Sequence, residues 1–252
     1  MKIAIVTGAS SGMGQEAVIQ IADRFSGIDE IWMIARRKER LEELEGHVPT
    51  TLRSFGLDLT KPEDLAQLET ALMESQPSVK FLINSAGFGK IGKVGDLDLT
   101  DETGMIRLNC EALCAVTHMV LPYLSHNSRI LQFASSAAFL PQPKFAIYAA
   151  TKSFVLSYSR ALGSELKNRS IYVTAVCPGP VQTEFFDIAE TSGEVSLYKK
   201  LVMADPKKVV KLALCDSMMG KSISIYGILM KLFYVLCKVC PHEWILSVMR
   251  YL

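Results

Sequence analysis

The sequence predicts an α/β protein: a doubly wound parallel sheet of about seven strands with helices on both faces. Two observations predict it. Short runs rich in β-branched residues alternate with longer helical patterns along the 252 residues. The runs are continuously apolar rather than alternating, as strands covered on both faces must be.

In chain order, the strands are expected at 2–7 (KIAIVT), 30–35 (EIWMIA), 51–57 (TLRSFGL), 79–84 (VKFLIN), 128–134 (SRILQFA), 171–177 (IYVTAVC) and 221–226 (KSISIY). Helices are expected between them near 12–25, 37–46, 61–74, 101–124, 148–168 and 205–218. Thr60 before KPED, with Pro62 in the first turn, marks one helix start, and Asp205 before Pro206 marks another. Asn168 fits a helix end. Residues 178–204 are the longest stretch without strand character and are a candidate mobile lid. With no repeat, low-complexity tract or linker, residues 1–252 read as one domain carrying an apolar helical tail at about 227–252.

Composition narrows the partners. Lys plus Arg is 27 and Asp plus Glu is 26, a balance that gives no reason to expect nucleic acid. Cys110 and Cys114 lack CxxC spacing, and Cys237 and Cys240 have no second pair, so no metal site is expected and the six thiols read as reduced. The amino-terminal apolar run is too short for a signal peptide. A cytoplasmic location is the expectation.

Directly after the first strand stands TGASSGMG, residues 7–14. Gly8, Gly12 and Gly14 permit a tight turn, close approach to a phosphate and close helix packing, so the turn suits a dinucleotide. The spacing is not GxGxxG. The second strand ends in MIARRKERL, with Arg36 and Arg37 where an NAD-preferring fold often has an acid. Guanidinium groups suit a 2′-phosphate, so NADP(H) is the expected cofactor and NAD(H) the alternative. Farther on, YAATK places Tyr148 and Lys152 one helical turn apart.

TGxxxGxG at Gly8–Gly14, NSAG at 84–87, a serine upstream of YxxxK, and PGPVQTEFF at 178–186 together resemble the short-chain dehydrogenase/reductase family, in its short single-domain branch. The resemblance covers residues 2 to 226 or so. The extended branch would need glycine at Ser11. A Rossmann-type fold is implied. So is hydride transfer between a nicotinamide and a carbonyl or secondary alcohol. Tyr148 would be the general acid or base, and Lys152 would hold the nicotinamide ribose and lower the tyrosine pKa. Ser135, 13 residues before Tyr148, would bond the substrate oxygen, with adjacent Ser136 as the alternative. Asn109 would hold a proton-relay water. The cofactor would lie along Gly8, Ser10, Ser11, Gly12, Met13, Gly14, Arg36 and Arg37. Asp58 would meet the adenine. Asn84, Ala86 and Gly87 would line the site after the fourth strand, with Ser85 where the family often has a second Asn. Pro178, Gly179, Val181 and Thr183 would flank the nicotinamide. A homo-oligomer, dimer or tetramer, is also implied.

The physics supports these roles. A free phenol titrates near pH 10 and is a poor base at neutral pH. Positive charge from Lys152 and an oxidised nicotinamide would favour the phenolate. A serine hydroxyl stabilises charge developing on oxygen. The lid, with Phe185, Phe186, Ile188, Leu197, Tyr198, Leu201 and Met203, and the loop with Phe139, Leu140, Phe145 and Ile147, suggest an apolar entrance. That favours a hydrophobic ketone, a hydroxysteroid-like compound or a 3-oxoacyl chain. Lys144 is the one candidate anion clamp. In the tail, Leu229, Leu232, Phe233, Leu236 and Cys240 fall on one face, and Trp244, Ile245, Val248, Met249 and Leu252 form a second stripe after Pro241. Both are expected to pack on the body or a second subunit, with peripheral membrane contact as the alternative. The competing functional classes are a dinucleotide-holding redox sensor and a membrane-associated binding protein.

Overall fold

The computed structural model describes residues 1–185, 189 and 203–249. Its seven strands are β1 (Lys2–Thr7), β2 (Glu30–Ala35), β3 (Thr51–Gly56), β4 (Ser78–Asn84), β5 (Leu124–Phe133), β6 (Tyr172–Val176) and β7 (Ile223–Ser224). They form one parallel sheet in the order β3-β2-β1-β4-β5-β6-β7. The helices are α1 (Gly12–Arg24), α2 (Lys38–Glu42), α3 (Pro62–Ser75), α4 (Leu99–Ile106), α5 (Leu113–Val120), α6 (Ala146–Glu165), α7 (Pro206–Met218), α8 (Ile228–Val239) and α9 (His242–Met249).

The unbroken apolar runs have a direct consequence: each strand feeds two cores. Ala4, Val6, Met33 and Ile83 face one way, against Val18 and Ile21 of α1 and Val210 and Leu214 of α7. Ile3, Ile5, Trp32 and Leu82 face the other, against Leu68 and Leu72 of α3, Val116 of α5 and Leu162 of α6. Chain order reverses between β1 and β4. A crevice therefore opens beyond the carboxyl ends of these two neighbours, the usual ligand position in such sheets.

Boundaries differ from expectation where polar residues join regular structure. β5 begins at Leu124, which pairs with Val79 of β4 before the register shifts and resumes at Arg129 with Phe81, with Asn127 at φ 66° between them. At the sheet edge β7 keeps only two residues before Gly227, at φ 86°, turns the chain into the tail. α2 ends at Glu42 rather than 46. Lys61, not Thr60, precedes α3; the Thr60 hydroxyl donates to Asp58 instead, at 2.7 Å. Asp205 does cap α7, accepting from the Lys207 amide at 2.8 Å. Asn168 sits in a short 3₁₀ turn, and Ser170, at φ 53°, takes the left-handed position. The expected helix over 101–124 is α4 and α5 joined by a π-helical turn, Arg107–Ala112.

The tail corrects the periodicity argument. α8 packs through Met230, Phe233, Tyr234 and Cys237. Leu229, Leu232 and Leu236 are exposed, in a stripe with Ile228, Val235 and Val239. Lys231 and Lys238 give α8 a polar edge, yet Leu229 and Leu236 on the opposite side stay exposed, so the pattern does not choose the buried face. The choice falls to shape, as the Phe139 ring meets Tyr234 at 4.8 Å and Phe233 at 6.3 Å. In α9, Ile245 packs inward and Trp244 is 71% exposed. The side chains of Val248 and Met249, and Leu252, lie outside the described residues. Among the described residues no helix is long and apolar enough to cross a membrane.

Candidate active site

The crevice at the β1–β4 reversal holds a cleft of about 280 Å³, lined by Gly8, Ser10, Ser11, Gly12, Met13, Arg36, Arg37, Asp58, Ser85, Ala86, Gly87 and Thr183. Two close approaches shape it. A Cβ on Gly8, itself at φ 68°, would lie 2.7 Å from the Ala86 amide nitrogen. A Cβ on Gly14 would lie 2.1 Å from the Gly8 carbonyl oxygen. The Thr7 hydroxyl adds a tie, accepting from the Ser85 and Ala86 amides at 3.2 Å each. The turn thus lies against the β4 loop and opens the first turn of α1, which takes no side-chain cap from Ser11.

These residues fit a dinucleotide. The uncapped amides and positive helix end suit a pyrophosphate. Across the cleft, a Cβ on Gly12 would sit 3.1 Å from Thr183 Cγ2 and would begin to fill the cradle. Burial favours the neutral Asp58 carboxyl, but hydrogen bonds from Thr60 and the nearby Arg36 outweigh it and hold the pKa below its ordinary value. Arg37 Nη2 donates to the Ser10 and Ser11 hydroxyls at 3.3 Å each.

The cleft meets a second, larger cavity of about 520 Å³. Met13, Ser85, Gly87, Thr183 and Phe185 line both. Ser135, Ser136, Tyr148 and Lys152 stand in the second one. Tyr148 and Lys152 come from the first two turns of α6, whose register turns both inward at 7% and 6% exposure. The Tyr148 ring is fixed by Phe145, stacked at 4.3 Å and 23°, and by Phe185, tilted at 5.3 Å. Burial among these rings raises the phenol above its ordinary pKa, and a hydrogen bond with Ser135 offsets part of the rise. Lys152 Nζ donates to the Phe133 carbonyl at 2.7 Å. Burial lowers its pKa to about 8.

Ser135 is oriented by its place before a 3₁₀ turn, Ser136–Phe139, where its hydroxyl accepts from the Ala137 amide at 3.1 Å. Ser136 is anchored by its backbone, donating to the Pro178 carbonyl at 2.8 Å. Of the two, Ser135 partners the phenol.

Other expectations shift. Asn84 is not in the cleft. It points into the interior, where its amide donates to Thr117 and Gln132 at 3.0 Å each, and Ser85 lines the cleft in its place. A last strand residue must point to one face or the other, and the pleat sends this one inward. Asn109, 1% exposed in the π-helical turn, uses its side chain as a staple. Oδ1 accepts from the Phe88 amide at 3.0 Å, and Nδ2 donates to the Phe88 carbonyl at 2.9 Å and to Thr151 at 3.1 Å. Gly87 is what lets it approach, since a Cβ there would lie 2.8 Å from Asn109 Oδ1 and 3.4 Å from Lys152 Nζ. Pro178, Gly179, Val181 and Thr183 line the larger cavity. Phe139 and Leu140 are core residues beneath α8, not entrance residues. Lys144 is exposed on the surface loop and is absent from the cavity lining. Phe186, Ile188, Leu197, Tyr198 and Leu201 lie outside the described residues.

The family model for short chain dehydrogenases matches residues 2–192. The chain belongs to the short-chain dehydrogenase/reductase family. It is an oxidoreductase of CH–OH groups. Among similar proteins, sulfoacetaldehyde reductase 2 of Chromohalobacter salexigens is 34% identical over 198 residues, 76% of this chain and 77% of that one. A short-chain dehydrogenase from Sphingobium yanoikuyae, solved in complex with NADPH, is 27% identical, with TM-score 0.78 and 96% of each chain covered. The bulky-bulky ketone specific alcohol dehydrogenase from Comamonas testosteroni is also 27% identical, with TM-score 0.76, covering 96% of this chain and 95% of that one.

Several cavity residues of this short-chain dehydrogenase/reductase carry no motif. Ile91, Gln142, Met230, Phe233 and Ile245 line the cavity from a loop, a second loop and the tail. The tail's apolarity, interrupted by Lys231, Lys238 and Pro241, and the 139–147 loop signalled part of this wall. Glu184 stands inside the PGPVQTEFF stretch with no role marked for it in the sequence, yet it reaches Arg37 at 2.9 Å and also pairs with Arg40.

Proposed function

We propose that this enzyme interconverts an apolar ketone and its secondary alcohol with NADP(H). The observation that carries the reading is the seam: five residues line both the cleft and the cavity, and Tyr148, Ser135 and Lys152 stand on the cavity side of it. A bound nicotinamide supplies the hydride in reduction and takes it back in oxidation. The remaining work falls to the chain. Ser135 hydrogen-bonds the substrate oxygen as charge develops on it. Tyr148 gives that oxygen its proton; a phenol whose pKa burial raises stays protonated through neutral pH and suits the reductive step. Lys152 supplies positive charge below its own pKa and steadies the phenolate left behind. Asn109 holds the loop at Phe88, and so the cleft floor at Gly87, in place.

Arg36 and Arg37 at the end of β2 support NADP(H) over NAD(H). The NADPH complex of the Sphingobium relative agrees with that reading. The rings of Phe145, Phe185 and Phe233, with Ile91, Met230 and Ile245, support a hydrophobic substrate, and Gln142 offers one polar contact. The ketone specificity named for the Comamonas relative points the same way. Residues 1–252 then act as one domain, with the tail closing the substrate side.

Absorbance assays of NADPH oxidation against ketone classes, paired with NADP⁺ reduction by hydroxysteroids and secondary alcohols, test the reading. Tyr148→Phe should lower kcat on the best substrate by about 10²–10⁴-fold while NADPH binding persists. Normal turnover by that variant would overturn the mechanism.

A further inference from the structure

Arg37, one of the two arginines expected to meet a 2′-phosphate, already holds an anion. Arg37 Nη2 donates to Glu184 Oε2 at 2.9 Å, and Arg40 Nη1 donates to the other carboxylate oxygen, Oε1. The carboxylate arrives from across the cleft, 147 residues beyond Arg37 in sequence. It is clamped by two guanidinium groups that the β2–α2 junction brings side by side. Hydrogen bonds from Arg40 and then from Arg37 hold its carboxyl below the ordinary pKa, so it is ionised wherever the enzyme works. All three side chains are about two-fifths exposed, at 39–44%. Such pairs are weak and exchangeable rather than structural.

Arg37 is therefore not a free cation waiting for a ligand. Its Nη2 is shared among Ser10, Ser11 and Glu184. A 2′-phosphate reaching this end of the cleft would meet a guanidinium already neutralised and a carboxylate of its own sign. It carries more charge and more acceptor oxygens than a carboxylate, so it can take the arginines over, but only after the ion pairs separate. NADH carries no such group and needs no exchange.

We propose that Glu184 is a specificity-determining residue of the cofactor site: it occupies Arg37 and Arg40 in the absence of a 2′-phosphate, yields them to NADP(H), and thereby limits the preference for NADP(H) over NAD(H). The inference rests on the NADP(H) reading above and deepens it. The clamp lies beside the substrate side: the next residue, Phe185, packs its ring 5.3 Å from that of Tyr148 and lines both cleft and cavity.

Calorimetric titration of wild type, Glu184→Gln, Glu184→Ala and Arg37→Gln with NADPH, NADH, 2′,5′-ADP and 5′-ADP tests this without turnover. Both Glu184 variants should bind NADPH and 2′,5′-ADP about two- to thirtyfold more tightly, the worth of two exposed ion pairs no longer broken. NADH and 5′-ADP should bind as in wild type. Arg37→Gln should lower the NADPH-to-NADH affinity ratio. If Arg37→Gln leaves that ratio unchanged, Arg37 does not meet the 2′-phosphate and the inference fails; equal or tighter binding of NADH than NADPH by wild type would instead sink the NADP(H) reading itself. If Arg37→Gln lowers the ratio but neither Glu184 variant raises it, the role of Glu184 alone is refuted. Weaker NADPH binding in the Glu184 variants would overturn it in the other direction, making Glu184 an organiser of Arg37. A Glu184 position is exposed and tolerates both substitutions, which unchanged thermal unfolding would verify.

Discussion

The cleft and the cavity share five lining residues but are made of different material. The cleft is shaped largely by main chain: the Gly8 turn against Ala86 and Gly14 against Gly8. The cavity is shaped by side chains from segments far apart, among them Phe145, Phe185, Met230, Phe233 and Ile245. Main-chain surfaces cannot rotate out of the way, so they demand particular residues at particular positions. Side-chain walls can be built in many ways, and each way accepts a different ligand. One cofactor half and one variable half follow from this contrast, which is also how one fold can serve many substrates.

The contrast breaks or holds most sharply at two glycines. Gly14→Ala places a Cβ 2.1 Å from the Gly8 carbonyl oxygen and 2.7 Å from its carbon, both backbone. No rotamer relieves this. The expected cost exceeds about 3 kcal/mol of stability, with NADPH binding lost, measured by denaturant unfolding and calorimetry. The nearest atoms Gly179→Ala meets belong to the Met230 side chain, 2.6 Å from its sulfur and 2.9 Å from Cγ. Methionine has three rotatable bonds to turn aside, so a cost well below that at Gly14 is expected. Equal damage from the two would show that the cavity wall is as rigid as the cleft.

The same division governs what can be read from sequence. The sheet was legible because seven apolar runs carry their own period, and the Gly8–Gly14 turn because each glycine answers a local backbone need. Tyr148 and Lys152, by themselves an ordinary helix pair, were legible through their surroundings: the glycine turn, Arg36 and Arg37, Ser135 upstream and Asn109. The tail was not. Leu229 and Leu236, opposite Lys231 and Lys238 on α8, stay exposed, while Phe233 turns inward against Phe139, a contact no local pattern announces. Asn84 and Asn109 were found as residues but not as partners. Which groups they bond depends on Thr117, Gln132 and Phe88, which no local pattern links to them. Glu184 was missed for the same reason, because its meaning lies in two arginines far behind it in the chain.

A substitution in the tail tests the variable half directly. Phe233 lines the cavity and packs against Phe139. Phe233→Ala should change the relative kcat/KM for bulky against small ketones by about tenfold or more, the usual scale for reshaping an apolar pocket. NADPH affinity should not move, because Phe233 is absent from the cleft lining. Competition between two ketones of different size, followed by product analysis, reads the ratio in one vessel. A parallel loss of NADPH affinity would mean that the two halves are not separable.

Lys152 stands on the cavity side of the seam, beside Gly87, which lines both halves. Burial lowers its pKa to about 8, whereas in the unfolded chain it titrates near 10.4. Between these values the unfolded state binds more protons than the folded one. Stability from this group therefore rises with pH across that window, by up to about 1.4 kcal/mol per pH unit, and is level below it. Activity should run the other way. The ammonium that steadies the Tyr148 phenolate disappears as pH rises through about 8, so kcat/KM for ketone reduction should fall there. Lys152→Met removes both trends. Wild type should thus gain stability relative to Lys152→Met above about pH 8 while its own kcat/KM declines. A flat kcat/KM across that rise, with the stability gain intact, would keep Lys152 as a buried structural amine and remove its charge from the chemistry.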